Sequence, residues 1–389
     1  MIVAMRLAIV ETVDRGGLLH YAAQLADGLA ERGAAVDLIL PRGHELQGRD
    51  SRARTRPVLL ARGSCDRPRL RRAAIASRLA LSWARILLLA RRRRYDAVII
   101  NGDIHLWLPA AALLLLTLMP GRPLLIDVCH NARPFNRRAG SELHTTSGPL
   151  PWLLRRLYPR LDLVLVHGER SRDVFYTTWP PSRLATIPHG DEGLFGDAPA
   201  PAGEERILFF GDLRKVKGLE VLMEAFDLLA SRRPGARLTI AGNAEEADYD
   251  ADAVRRWARG HGGRVELIDS YVPIEDVRPL FARARVVTTP YLAGYQSGVV
   301  HLAKTMGRAV VTSDVGDLPS AVVDGRTGRV VAAGDPSALA DALEAVVADA
   351  ALAERYGSAA REHVVATASW GQVADRVLVA LDELAPRRG

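Results

Sequence analysis

A chain of 389 residues, 48% hydrophobic and 25% charged, has material for two hydrophobic cores, and this composition excludes a disordered or fibrous protein. Its two cysteines, Cys65 and Cys129, form neither a disulfide framework nor a metal-ligand cluster, which points to a reducing compartment. The net charge of +7 is uneven: residues 1–200 hold 29 arginines against 18 acidic residues (+11), and residues 201–389 hold 23 basic against 27 acidic (−4). Only the first half is therefore expected to face an anionic surface.

In chain order, residues 6–10 read as a strand entering the turn Asp14-Arg15-Gly16-Gly17. The start carries no signal-peptide pattern. A helix follows over 18–31, with the stripe Tyr21, Leu25, Leu29 at i, i+4 spacing, and Arg32-Gly33 ends it. Residues 73–90 read as an apolar helix flanked by Arg67, Arg69, Arg71 and Arg72 and by Arg91 to Arg94. Arginines with interleaved leucines and Trp83 suit attachment to acidic lipid headgroups. The apolar run 106–119 is broken by Pro109 and is shorter than the ~20 residues of a membrane span, so it reads as a buried or interfacial helix.

Short apolar strands are predicted at 35–40, 97–100, 124–128 and 161–166. Near-continuous apolar strands between helices indicate a parallel sheet buried on both faces. Residues 196–205, small, proline-rich and polar, read as a linker. A second series then begins, with strands at 207–210, 237–241, 265–268, 286–289 and 309–312. Two doubly wound α/β units are thus expected. No nucleic-acid-binding motif is recognised, so nucleic acid is not an expected partner.

Three strand ends carry polar chemistry. Phe209-Phe210-Gly211-Asp212-Leu213-Arg214-Lys215-Val216-Lys217-Gly218 places cations at a strand's carboxyl end, where open α/β sheets bind ligands. Only Lys215, Lys217 and Lys304 of the 52 basic residues are lysines, so two of the three lie here, as a site needing a compact point charge would require. A solvated basic loop is the alternative. Tyr291-Leu292-Ala293-Gly294-Tyr295-Gln296-Ser297-Gly298-Val299 leads from a strand into a helix, whose first amides and positive end make an anion site. Alternatively, Ser297 is an ordinary N-cap. Asp127-Val128-Cys129-His130-Asn131-Ala132-Arg133-Pro134 ends a strand of the first half. His130 there can hydrogen-bond a hydroxyl or move a proton, or can be a core histidine satisfied by the backbone.

The lysine segment resembles the "GR-x-x-x-x-KG" element of family 4 retaining glycosyltransferases. Gln296-Ser297-Gly298-Val299 resembles a "Q-S-G-V" variant of that family's donor-diphosphate loop, and 127–134 resembles its "VHN-x-x-P" segment. The resemblance covers almost the whole chain and is strongest over 207–334. It implies a GT-B fold: two Rossmann-like doubly wound domains facing a central cleft, with a C-terminal helix returning to the first. The implied boundaries are an acceptor-side domain 1–195, a linker 196–205, a nucleotide-sugar domain 206–366 and the returning helix 367–389.

By the same resemblance, His130, Lys217 and Arg214 are the catalytic candidates. Gly16, Gly17, Gly211, Gly242, Asn243, Gln296, Ser297, Gly298, Val299 and His301 are the donor-binding candidates, and Asn131 and Arg133 lie on the acceptor side. Residues 136–148 are expected to be a mobile acceptor loop. No metal and no cofactor are implied; a UDP- or GDP-sugar is the co-substrate. His20, Tyr21, His167 and His189 read as packing or structural residues, and Glu169 as a helix cap.

Two departures stand out. Asp212 occupies the family's arginine position, and Gly294 and Leu302 occupy the positions of its glutamate pair, the second of which holds the donor ribose. The expected function is transfer of a hexose-type sugar from a nucleotide-diphosphate sugar to a hydroxyl acceptor. That acceptor is a lipid-linked or membrane-surface glycan of the cell envelope, or alternatively a soluble small molecule. The departures also leave a sugar-nucleotide-binding pseudoenzyme open. A cytoplasmic location, peripheral on the inner face of the plasma membrane, is expected, with an anionic membrane surface as partner.

Overall fold

The structure is a computed structural model that describes residues 5–61, 68–102, 104–133, 135–136, 141–142, 148–179, 181–196, 204–244 and 248–384. They fall into two compact units. Unit 1 comprises Met1–Pro134, His144–Pro188 and Trp370–Gly389, and unit 2 comprises Phe135–Leu143 and His189–Ser369. The strands in chain order are β1 (Arg6–Val10), β2 (Ala35–Pro41), β3 (Arg54–Leu59), β4 (Ala97–Asn101), β5 (Leu124–Val128), β6 (Phe135–Asn136), β7 (Ser141–Glu142), β8 (Leu163–Val166) and β9 (Leu184–Thr186). They continue with β10 (Arg206–Phe210), β11 (Arg237–Ala241), β12 (Val265–Ile268), β13 (Val286–Thr289), β14 (Ala309–Ser313) and β15 (Gly328–Val331).

Unit 1 is built on a parallel seven-stranded sheet in the order β3-β2-β1-β4-β5-β8-β9. Every residue of β4 and β8 is buried; β8 is apolar throughout, and β4 is apolar up to its last residue, Asn101. Chain order reverses between β1 and β4, so the segments leaving these two strands turn to opposite sides and open a crevice at their carboxyl ends. Unit 2 repeats the scheme with β12-β11-β10-β13-β14-β15, and its reversal lies between β10 and β13. The strands β6 and β7 form a separate antiparallel pair.

The last helix, Trp370–Asp382, belongs to unit 1. It buries Val373, Ala374, Val377 and Leu381, a one-sided stripe, against the helix Gly17–Glu31. Gly28 permits this approach: a Cβ there would lie 2.9 Å from the Trp370 carbonyl oxygen. Arg32 Nε bonds Asp375 Oδ1 at 2.9 Å, and the Tyr21 ring meets Trp370 edge-on at 5.0 Å. In unit 2, Leu222, Phe226 and Leu229 pack with Leu339, Leu343 and Val346 in one core. Phe281, Val300 and Met306 belong to a second core. Each such buried side chain stabilises by about 1.5–3 kcal/mol.

The sequence reading differs from the fold at the edges. β3, β9 and β15 are additional strands; β3 carries Pro57 and two arginines on a sheet edge, where neither proline nor charge is penalised. Leu161 and Asp162 stay outside β8, because the Asp162 carboxylate accepts from the Leu125 amide at 2.7 Å and pairs with Arg122. The apolar helix extends over Pro68–Arg93. Most of the expected mobile loop 136–148 lies outside the described residues.

Candidate active site

In unit 2 the two segments leaving β10 and β13 are fastened to each other. The first passes Gly211 (φ +117°), makes a single 3-10 turn at Lys215–Lys217 and turns again at Gly218 (φ +74°). A Cβ at 218 would sit 1.8 Å from the Pro290 carbonyl oxygen, so only glycine allows the contact. The Leu292 amide donates to the Val216 carbonyl at 2.8 Å. This closeness carries Lys217 Nζ to 3.8 Å above the centroid of the Tyr291 ring. The Tyr291 hydroxyl in turn shares a 3.0 Å hydrogen bond with Ser297 Oγ.

Ser297 is the N-cap residue of the helix Gly298–Thr305, but its side chain makes no cap bond and is spent on Tyr291. A half-buried ammonium and the positive end of a helix are therefore joined through one aromatic ring. Both favour an anion, and neither neutralises the other. Val299 closes the group, its Cγ2 3.5 Å from where a Gly211 Cβ would be.

The remaining unit 2 candidates lie on the same sheet edge. Arg214 is half-buried as the residue before the 3-10 turn, whereas Asp212 is exposed. Lys215 is exposed and pairs with Glu220 at 3.3 Å, which separates it from Lys217 in role. Gly242 (φ +156°) allows a backbone approach: its Cβ would fall 1.6 Å from the Gly211 carbonyl oxygen. The Asn243 carbonyl accepts from the Leu213 amide at 2.9 Å, so this residue holds the lysine segment through its backbone. Gln296 is half-buried between Tyr295 and Ser297, both buried.

At the two glutamate positions, Gly294 (φ +144°) has open space around it and Leu302 is buried in the core. His301 is buried and stacks on His189, with ring centroids 4.7 Å apart and planes 20° from parallel. Burial lowers His189 to a pKa of about 4. A Cβ at Gly298 would lie 3.5 Å from Glu192 Oε1 and 3.6 Å from His189 Cε1. Glu192 and His189 therefore border the helix start, a role their sequence surroundings did not signal. The third lysine, Lys304, is buried: Nζ donates to the Ala321 carbonyl at 2.8 Å and meets His363 Nδ1 at 3.0 Å. Burial lowers its pKa to about 8.

In unit 1 the candidates sit at the ends of β1, β4 and β5. Gly16 (φ +88°) precedes the helix Gly17–Glu31, and its amide donates to Glu45 Oε1. His20 Nε2 meets the same oxygen at 2.6 Å, so His20 is hydrogen-bonded as well as packed. A Cβ at Gly17 would meet nothing within 4 Å. His130 Nε2 lies 3.0 Å from Asn101 Oδ1. Asn101 Nδ2 donates to Glu11 Oε2 at 2.7 Å and to the Leu18 carbonyl at 2.9 Å. Both of those partners are acceptors, which fixes the amide orientation and makes Oδ1 an acceptor towards His130. The proton of neutral His130 therefore sits on Nε2. The ring also meets Tyr21 edge-on at 4.7 Å and His167 at 5.0 Å.

Asn131 is exposed, and its carbonyl accepts from the Cys129 thiol at 3.0 Å. Arg133 Nε donates to Thr178 Oγ1 at 3.2 Å. Asp127, buried at the end of β5, is pushed up to about 8 by burial, partly offset by the Tyr158 hydroxyl. Glu169 is the first residue of its helix and pairs with Arg172 at 3.3 Å; Gly168 holds the N-cap position. Among the described residues, no group of three or more His, Cys, Asp or Glu side chains is placed to hold a metal.

Two family profiles match the chain: residues 15–190 match "Glycosyltransferase Family 4" and residues 204–349 match "Glycosyl transferases group 1". Alpha-maltose-1-phosphate synthase of Mycolicibacterium smegmatis is 32% identical over 235 residues, 57% of this chain. The matched region spans only 58% of that relative's length. D-inositol 3-phosphate glycosyltransferase of Corynebacterium aurimucosum is 28% identical over 376 residues, covering 90% of this chain and 87% of the relative. The structure of Anabaena HepE in complex with UDP-glucose superposes with a TM-score of 0.71 at 16% identity, over 97% of this chain and all of that one, a likeness of fold. With two parallel sheets of the GT-B fold and glycosyltransferase profiles matching both halves, the first of them that of family 4, the chain belongs to the family 4 glycosyltransferases.

Proposed function

We propose that the chain is a retaining hexosyltransferase that takes its sugar from a nucleotide-diphosphate sugar and needs no metal for the transfer. The observation that carries this reading is Lys217, held over Tyr291 beside the start of the helix Gly298–Thr305. When the bond from the anomeric carbon to the diphosphate breaks, negative charge grows on the leaving oxygen. A fixed ammonium and fixed helix amides stabilise that charge without reorganising, and more strongly as it grows. Arg214 adds charge from the same segment, while Gly211, Gly242, Asn243, Gln296, Ser297, Gly298, Val299 and His301 line the donor's path. In unit 1, Gly16 and Gly17 border the transferred sugar, His130 binds one of its hydroxyls, and Asn131 and Arg133 lie towards the acceptor.

A uridine nucleotide is the first donor to test, because HepE, of the same fold, is known in complex with UDP-glucose. The acceptor we propose is a lipid-linked or membrane-surface glycan of cell-envelope polysaccharide assembly, used on the cytoplasmic face of the membrane. The +11 charge of residues 1–200 supports it. A soluble acceptor is the second reading, favoured by the inositol phosphate in the name of a relative that matches 90% of the chain.

The test is calorimetric titration with UDP, GDP, ADP and their hexose conjugates. One nucleotide is expected to bind, and Lys217→Ala is expected to weaken it and to lower turnover at least about 100-fold. Turnover near that of the wild type in Lys217→Ala would remove the lysine from the mechanism. No binding across the panel would favour a non-catalytic role, consistent with Gly294 and Leu302.

A further inference from the structure

Among the described residues, unit 1 leaves the apolar side chains of three neighbouring helices exposed. The helix Trp107–Thr117 packs against Pro68–Arg93 on one side and Pro149–Leu157 on the other. Along the middle helix and its exit, Trp107, Ala111, Leu115 and Leu118 recur at i, i+4, i+8 and i+11, one side of a helix, and all are exposed. Leu118 is 67% exposed, and Leu81, Trp107, Leu115 and Trp152 are each more than half exposed. An 18-residue window within Ala73–Arg93 has a mean hydropathy of 1.5, and only 22% of it is buried. A soluble monomer rarely leaves so much contiguous apolar side chain in water.

The charge on the helices of this face is of one sign. The three helices contain no aspartate or glutamate. Arg91 to Arg94 stand exposed at the end of one helix and Arg155 and Arg156 in the last turn of another, with the Arg156 guanidinium 4.3 Å over the Trp152 ring. A two-fold contact through this face would set these arginines against their own copies, so a second copy of the chain is a poor occupant. Exposed tryptophans among leucines, rimmed by arginine, match the boundary between acyl chains and anionic headgroups.

The long helix has the length to span a bilayer, but it is moored to its own sheet. Trp83 and Ile86 are buried, Arg85 Nη1 donates to the Val58 carbonyl at 2.9 Å, and Ser82 Oγ accepts from the Leu60 amide at 2.9 Å. It therefore lies along a surface and does not cross it.

We infer that the face formed by Trp107, Leu115, Leu118 and Trp152 with Leu81 and the arginines Arg155 and Arg156 docks unit 1 onto an anionic lipid bilayer. The inference deepens the proposed membrane acceptor by assigning the surface. The middle helix begins six residues after Asn101, the side chain that orients His130, so this docking sets the His130 end of the sheet near the lipid surface.

The experiment is vesicle sedimentation of the full chain with phosphatidylcholine alone and with phosphatidylcholine mixed with phosphatidylglycerol, at low and high salt. The wild type is expected to bind the mixed vesicles and to be released by salt. The triple variant Trp107→Ser/Leu115→Ser/Leu118→Ser is expected to bind at least about tenfold more weakly. Arg155→Glu/Arg156→Glu is expected to lose the preference for anionic lipid. Both should keep the wild-type melting temperature and nucleotide affinity, since the altered side chains are exposed and outside the donor site. Equal binding to both vesicle types, no binding, or variants that bind like the wild type would each overturn the inference. So would a dimer in sedimentation that the serine variant dissociates. Failed vesicle binding with intact nucleotide binding rejects the surface and spares the transferase; the reverse pattern rejects the transferase and spares the surface.

Discussion

The two units share one topology and put opposite chemistry at its reversal point. In unit 2, the segments after β10 and β13 present Lys217 and a helix start, both positive. In unit 1, the carboxyl ends of β1, β4 and β5 present Glu11, Asn101 and His130, and the amide ahead of the first helix is already held by Glu45. The fold supplies the crevice in each case, and the side chains decide what enters it. An anion at the unit 2 edge would meet Lys217 and the helix start as well as Glu192, whereas at the unit 1 edge it would meet Glu11 and Glu45.

The strongest way to break this comparison uses the glycines. Gly242 follows β11 and Gly17 opens the helix Gly17–Glu31, yet a Cβ at 242 would strike the Gly211 carbonyl while one at 17 meets open space. Gly242→Ala should cost more than about 4 kcal/mol or prevent folding, as backbone strain of this kind does. Gly17→Ala should stay within about 0.5 kcal/mol, since its backbone needs no left-handed conformation. Urea unfolding of the two variants gives the answer, and similar midpoints would show that the crowding at 242 relaxes cheaply.

That contrast also marks the limit of the sequence. The apolar runs of β1, β4, β5, β10 and β11 were readable, because a strand buried on both faces is mostly apolar in sequence. The edge strand β3, Arg-Thr-Arg-Pro-Val-Leu, has no such pattern. In the site, Lys217 and Ser297 were visible as strand-end residues of a recognisable family pattern. The ring that joins them was not, since Tyr291 in a loop has no signal of its own. The Glu11–Asn101–His130 chain was equally hidden. Its members lie 90 and 29 positions apart and meet only because β1, β4 and β5 are neighbours in the sheet.

The units should also differ in how pH moves their stability. Burial lowers His189 of unit 2 from 6.5 to about 4, so it folds neutral. Its contribution is present above about pH 6.5 and is lost as pH falls towards 4, a change of roughly 3 kcal/mol. Burial raises Asp127 of unit 1 from 3.8 to about 8, so it folds protonated. Its contribution is present below about pH 4 and is lost as pH rises towards 8. Hydrogen exchange read separately at the β5 and β14 amides, and corrected for intrinsic rates, should show opposite pH slopes. Asp127→Asn should flatten the first and His189→Gln the second. Slopes of the same sign in both units would sink the assignment.

The smallest effect sharpens the chemistry of unit 1. If His130 holds a hydroxyl of the transferred sugar, His130→Ala should lower turnover about 100-fold and leave nucleotide affinity nearly unchanged. Asn101 acts through His130 as a positioning residue. Its amide is oriented by Glu11 and the Leu18 carbonyl, which fixes the ring proton on Nε2 and leaves Nδ1 as the accepting nitrogen. Asn101→Ala should therefore cost about tenfold in turnover, and it should let the ring populate both neutral forms. Nitrogen chemical shifts of His130 separate this from simple loosening of the fold. The neutral wild-type ring should show a protonated Nε2 and an unprotonated Nδ1, and the neutral variant ring a mixture. A variant that loses turnover while its ring keeps the wild-type form would return Asn101 to a structural role. A wild-type ring protonated on Nδ1 would mean that Asn101 does not control this histidine at all.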